Sequence, residues 1–143
     1  MSECSVLLVD DEADFVEVLA ERLEARGLRV DTAGDGPTAL EKAQETTFDA
    51  IVLDLAMPGM NGIETLEGLL EINRDLQVIL LTGQGTMRQA VEAMKLGALD
   101  FLEKPVDIET LTTTIEDAAY KRSKLDDARI QKKISDILKQ KGW

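Results

Sequence analysis

Apolar residues recur along this chain in two alternating rhythms. Short apolar runs, "SVLLV" (5–9), "LRVDTA" (28–33), "FDAIVLD" (48–54), "LQVILLT" (76–82) and "ALDFL" (98–102), read as strands. Between them apolar residues return every three or four positions, as on one face of a helix. Phe15, Leu19 and Leu23 mark the first helix, which Gly27 stops. Ala39, Leu40 and Ala43 mark a second, entered through "DGP", and Ile63, Leu66 and Leu70 a third. Met87, Val91 and Met94 mark a fourth, and Ile108, Leu111 and Ile115 a fifth after Pro105. Asn61 with Glu64, and Thr86 with Gln89, have the spacing of capping boxes.

Strand and helix therefore alternate five times. Strands this continuously apolar belong in a parallel sheet covered on both faces, a doubly wound α/β fold. Ligands of such sheets bind at the carboxyl ends of the strands. Strand 1 ends in Asp10-Asp11, strand 3 in Asp54 and strand 4 in Thr82, while strand 5 leads to Lys104-Pro105. All four endings fall on one edge. At ~5 Å and an effective dielectric of ~20, each carboxylate pair repels by ~3 kcal/mol. A hard divalent cation offsets that repulsion, and an all-oxygen site with open positions suits Mg²⁺.

Composition narrows the chemistry. The 143 residues include no histidine, which excludes His-based triads, His metal sites and a phosphohistidine donor role. Cys4 stands alone, so no internal disulfide forms and a reducing cytoplasm fits. No run approaches the ~18 apolar residues of a membrane span, and "MSECS" is no signal peptide. The net charge of −12 is unevenly spread. Residues 1–120 carry 8 basic and 25 acidic side chains, or −17; residues 121–143 carry eight and three, or +5. A body that acidic repels nucleic acid and anionic membranes.

The motifs at the strand ends, "VDDE", "DLAMPGMNG", "LTGQG" and "DFLEKP", stand in the order and spacing of the receiver domain of two-component response regulators, which the chain resembles over roughly residues 4–120. The resemblance implies a five-stranded flavodoxin-like sheet in the order 2-1-3-4-5. It also implies phosphorylation of an aspartate by a sensor histidine kinase or phosphotransfer protein. Asp54 matches the phosphoacceptor, Asp11 a direct Mg²⁺ ligand, Asp10 an acidic-pocket residue acting mainly through water, and Ala56 a backbone carbonyl ligand. Thr82 matches the switch hydroxyl, Lys104 the ammonium that pairs with the phosphoryl group, and Phe101 the rotating aromatic. Gly83 leaves room beside the phosphoryl, Ala56 and Gln84 occupy positions that tune hydrolysis, and a cis peptide is implied between Lys104 and Pro105.

Three other readings compete. A Mg²⁺-dependent phosphohydrolase with an Asp nucleophile wants a second acid two residues on, where this chain has Ala56. A dinucleotide-binding module wants G-x-G-x-x-G after the first strand, which is absent. A degenerate receiver acting as a scaffold would not need the full acidic set.

The tail is a separate segment, a basic helical extension or linker over residues 121–143. From about Asp107 no strong breaker appears until Gly142, so an unbroken helix would run ~34 residues and ~50 Å. Asp126-Asp127 is a candidate joint. Ile130, Ile134, Ile137 and Leu138 form an apolar stripe that packs on its own domain or offers a homodimer or partner surface. Twenty-three residues hold no helix-turn-helix domain, so output through a downstream protein target or output domain is expected.

Overall fold

The computed structural model describes residues 4–57, 61–83 and 86–140. Five strands alternate with five helices: β1 (Ser5–Val9), α1 (Ala13–Glu24), β2 (Arg29–Ala33), α2 (Gly36–Glu45), β3 (Ala50–Asp54), α3 (Gly62–Ile72), β4 (Val78–Thr82), α4 (Met87–Leu96), β5 (Asp100–Glu103) and α5 (Ile108–Gln140). All pairings are parallel and the order is β2-β1-β3-β4-β5, the doubly wound arrangement expected. Residues 58–60 of the "MPGMNG" turn, Gln84 and the stop at Gly142 lie outside the described residues.

The period-2 alternation of a strand divides the interior in two. Leu7, Val9, Ile51, Leu53 and Leu80 point to one face, where Leu66 and Leu69 of α3 and Ala90 and Ala93 of α4 cover them. Val6, Leu8, Val52, Ile79 and Leu81 point to the other, beneath Leu19 and Leu23 of α1 and Leu111, Ile115 and Ala118 of α5. Every residue of β3 and β4 is buried, whereas edge strand β2 alternates exposed with half-buried positions before Ala33. The central strands thus hold their carboxyl ends rigidly.

Local signals set the helix ends. Asn61 and Glu64 form the expected box at α3: Glu64 N donates to Asn61 Oδ1 at 2.9 Å, and Asn61 N donates to Glu64 Oε1 at 3.4 Å. Gly27 and Gly97 adopt φ of 89° and 124°, where a β-carbon is strained, and so end α1 and α4. The other box does not form. Thr86 caps no α4 amide; its hydroxyl instead accepts from Gly83 N and donates to Gly83 O, both at 2.9 Å.

Helix α4 also departs from its sequence reading. Ala90 and Ala93 are its buried residues, while Met87 and Val91 are 44% and 50% exposed. Small side chains let the helix approach the sheet; Met87 and Val91 face outward, while Met94 of the same stripe packs against the core. Helix α5 runs unbroken through Asp126-Asp127, so no joint forms there. Thr112 and Thr114 lie within the helix, their hydroxyls donating to the carbonyls of Ile108 and Thr110 four residues back. Nor does the tail stripe pack on its own domain, because Ile130, Ile134, Ile137 and Leu138 are exposed.

Candidate functional site

Fold topology brings Asp10, Asp11, Asp54 and Lys104 together at the carboxyl edge. Asp10 follows β1 and Asp54 ends β3, two strands paired Val9 to Leu53. Asp10 and Asp54 are buried, Asp11 is exposed, and carboxylate oxygens from all three lie within 4.8 Å of one another. Each buried acid has one local donor: Glu12 N donates to Asp10 Oδ1 at 3.0 Å, and Ala56 N donates to Asp54 Oδ1 at 3.2 Å.

Lys104 crosses from the end of β5 to meet them. Its Nζ donates to Asp10 Oδ2 at 2.9 Å and stands 3.6 Å from Glu12 Oε1 and 3.8 Å from Asp54 Oδ1. The same nitrogen sits 4.4 Å from the centroid of the Phe15 ring, on the first turn of α1. Backbone ties fix its approach, since Lys104 N donates to Thr82 O at 2.7 Å. The Lys104–Pro105 peptide bond is cis.

Electrostatics oppose one another here. Burial, foremost, pushes the Asp54 carboxyl above the usual aspartate range; the Ala56 N–H draws it down, Asp10 and Asp11 raise it, and Lys104 lowers it. Burial works against the Lys104 ammonium, but the Asp10 hydrogen bond and the charges of Asp54, Asp10 and Glu12 hold it above the ordinary lysine value. One ammonium thus shares three acids besides exposed Asp11. The set is hard, all-oxygen and over-acidic, which fits a small divalent cation better than a soft one.

Thr82 and Phe101 flank this cluster. Thr82 is buried, and its hydroxyl donates to Leu102 O at 3.4 Å. Phe101 is half-buried against the core under α4, paired in register with Leu80. Gly83 has open space where a β-carbon would stand, and Ala56 is exposed. Gly62 is the opposite case: a β-carbon there would lie 2.5 Å from Leu55 Cα and 3.0 Å from Asp54 O. The α3 terminus therefore presses on the backbone that carries Asp54, a constraint that no local pattern around Gly62 displays. Glu12 and Phe15 were likewise not assigned to the site; Phe15 reads in sequence as one member of a helix stripe.

Residues 6–116 match the response regulator receiver domain. The chain belongs to that family. It is 39% identical over 116 residues, 81% of its length, to the transcriptional regulatory protein ZraR of Klebsiella oxytoca. It is 37% identical over 113 residues, 79% of its length, to the transcriptional regulatory protein FixJ of Bradyrhizobium diazoefficiens. It spans 26% of the first relative and 55% of the second. Among solved structures, a response regulator receiver domain protein from Clostridium thermocellum superposes with a TM-score of 0.83 at 31% identity, covering 85% of this chain and 98% of that one. As a receiver domain the chain has a phosphoacceptor signalling role. Among the described residues no helix is long and apolar enough to cross a membrane.

Proposed function

We infer that Asp54 is the phosphoacceptor and that residues 1–120 form the receiver domain, with residues 121–143 a basic helical extension or linker. The observation that carries this is the convergence of buried Asp54 with Asp10, Asp11 and the Lys104 ammonium on one sheet edge. A carboxylate oxygen of Asp54 attacks phosphorus while the bond from phosphorus to the donor breaks, leaving an acyl phosphate. Lys104 leaves its contact with Asp10 to pair with a phosphoryl oxygen. Asp10, Asp11, Asp54 and the Ala56 carbonyl would hold Mg²⁺, which supplies charge neutralisation for the transferring group. The donor, as the family implies, is a sensor histidine kinase or phosphotransfer protein; with no histidine, this chain is not itself a phosphohistidine donor.

Transmission follows from the same edge. A phosphoryl oxygen at Asp54 competes with Leu102 O for the Thr82 hydroxyl, a bond already long at 3.4 Å. Drawing Thr82 inward frees space for Phe101 to turn in, which biases the face built from α4, β5 and α5 between two arrangements. A downstream protein or output domain reads that face. The phosphohydrolase alternative stays weaker because Ala56 stands where its second acid belongs.

Intact mass spectrometry after incubation with Mg²⁺ and acetyl phosphate tests the assignment. Wild type gains one phosphoryl group and Asp54→Asn does not; equal labelling of the variant rejects Asp54 as acceptor. Thr82→Ala still labels, yet loses most of the change in hydrogen exchange over α4 when beryllofluoride is added. A full wild-type response in that variant removes Thr82 from the switch.

A further inference from the structure

The Lys104 ammonium is attracted by three acids and bonded to one. Of its three N–H donors, one reaches Asp10 Oδ2 at 2.9 Å. Glu12 Oε1 at 3.6 Å and Asp54 Oδ1 at 3.8 Å are too far for hydrogen bonds, yet near enough to pull on the charge. Those two pulls lead to different places, since the Glu12 side chain is 67% exposed and that of Asp54 only 5%. Glu12 draws the ammonium toward solvent, and Asp54 draws it over the acceptor. The carboxylates alone do not decide between them.

Phe15 adds a further attraction. The centroid of its ring lies 4.4 Å from Nζ, inside the ~6 Å over which a ring face attracts a cation. The residue stands in the first turn of α1 and packs against the cluster that includes Leu8, Leu19 and Leu111, so helix and core hold the ring. We propose that Phe15 is a positioning residue for phosphoryl transfer, its ring supporting the Lys104 ammonium as it passes from Asp10 to a phosphoryl oxygen. The proposal rests on Asp54 being the acceptor. The bond to Asp10 is lost when the ammonium moves, whereas attraction spread over a ring face survives a short displacement. The ring also occupies no N–H, which leaves all three for oxygen. It keeps water from one side of a lysine that is only 20% exposed, so the ammonium meets the transferring group with little screening. A leucine at this position keeps apolar packing but has no negative face to offer a cation.

Acetyl phosphate with Mg²⁺ serves as donor, so contacts between a protein donor and the ring play no part. The Asp54 oxygen bonds to phosphorus as acetate leaves with the electrons of its own bond to phosphorus. The initial rate should fall about fivefold in Phe15→Leu, while Phe15→Tyr, which keeps the ring, stays within about twofold of wild type. In a Lys104→Met background the leucine substitution should cost nothing further, because Phe15 acts through the ammonium. A wild-type rate in Phe15→Leu, or equal losses in Phe15→Leu and Phe15→Tyr, overturns the proposal. So does a loss of the same size in the Lys104→Met background, which is an effect of packing alone. If wild type does not label at Asp54, the acceptor assignment falls and this one with it. If wild type labels and the Phe15 variants behave otherwise than expected, the acceptor stands and only the role of the ring is rejected.

Discussion

The two ends of the sheet handle charge in opposite ways. At the carboxyl end, oxygens of Asp10, Asp11 and Asp54 crowd within 4.8 Å, and Asp10 and Asp54 share Lys104 with Glu12. At the amino end bases stand beside the acids: Arg122 meets Asp49 before β3 and lies 3.9 Å from Asp126, and Arg129 meets Asp75 before β4. Asp49 is further satisfied by Ser5 N, which donates to its other oxygen at 2.8 Å. One end is balanced and holds the long helix in place. The other carries unresolved repulsion in a buried setting, which costs stability and which, on the function proposed above, a bound cation would offset. Like charges without matching bases mark the working end of this fold.

Removing the shared base should give the largest response. Lys104→Met leaves buried Asp10 and Asp54 facing each other uncompensated, and we expect a loss of about 2 kcal/mol in urea unfolding. Saturating Mg²⁺ then stabilises the variant more than wild type, since the acids gain a cation they otherwise lack. Phosphorylation by acetyl phosphate slows by an order of magnitude or more. Unchanged stability in the variant would mean that the carboxyl end is no more strained than the amino end.

Relieving the repulsion should act with the opposite sign. The folded-state pKa of Asp54 is raised, so between its ordinary value of 3.8 and the raised one the native state holds a proton that the unfolded state has lost. Wild-type stability therefore falls as pH rises through that window. Asp54→Asn keeps an oxygen for the Ala56 N–H and escapes the fall. The variant should be more stable at pH 7 by about 1 kcal/mol, a gain that closes as pH drops toward 3.8. Thermal melts of both proteins across that range check it. A constant difference at every pH would assign the gain to something other than the Asp54 charge.

How far each end was legible from the chain follows from the range of the interactions. The alternation of strands and helices and the Asn61–Glu64 box rest on periodicity and on a three-residue spacing, both of which sequence displays, whereas the strand order followed only from the family resemblance. Asp10, Asp11, Asp54 and Lys104 converge because parallel strands all end on one edge, so topology alone predicts the gathering. Glu12 and Phe15 reach Lys104 across about ninety residues, and no local pattern announces that contact. In α4, spacing selected Met87, Val91 and Met94, of which Met94 packs against the core, yet close approach to the sheet buried Ala90 and Ala93. Gly62 was hidden for a related reason: what excludes a side chain is Leu55 Cα, a neighbour brought near by folding. The exposed stripe on α5 was legible, but whether the domain covered it depended on the rotation fixed by Arg122 and Arg129.

The smallest effect belongs to the balanced end. Arg122 is partly buried beside Asp49 and lies 3.9 Å from Asp126 one turn on. Arg122→Ala breaks both contacts, but Asp49 keeps the Ser5 N–H, so its charge is not left bare. A loss of about 0.5–1 kcal/mol follows, shrinking as salt rises. Acetyl phosphate labelling and Mg²⁺ affinity should be unaffected, because Asp49 precedes β3 whereas Asp54 closes it. Amide exchange should quicken in α5 beyond Arg122, where the helix depends on its anchors for direction. Arg122→Lys should restore part of the stability through charge alone, without the planar geometry of the guanidinium. A change in labelling rate as large as that of Lys104→Met would show that the two ends are coupled, and that the balanced end also takes part in the chemistry.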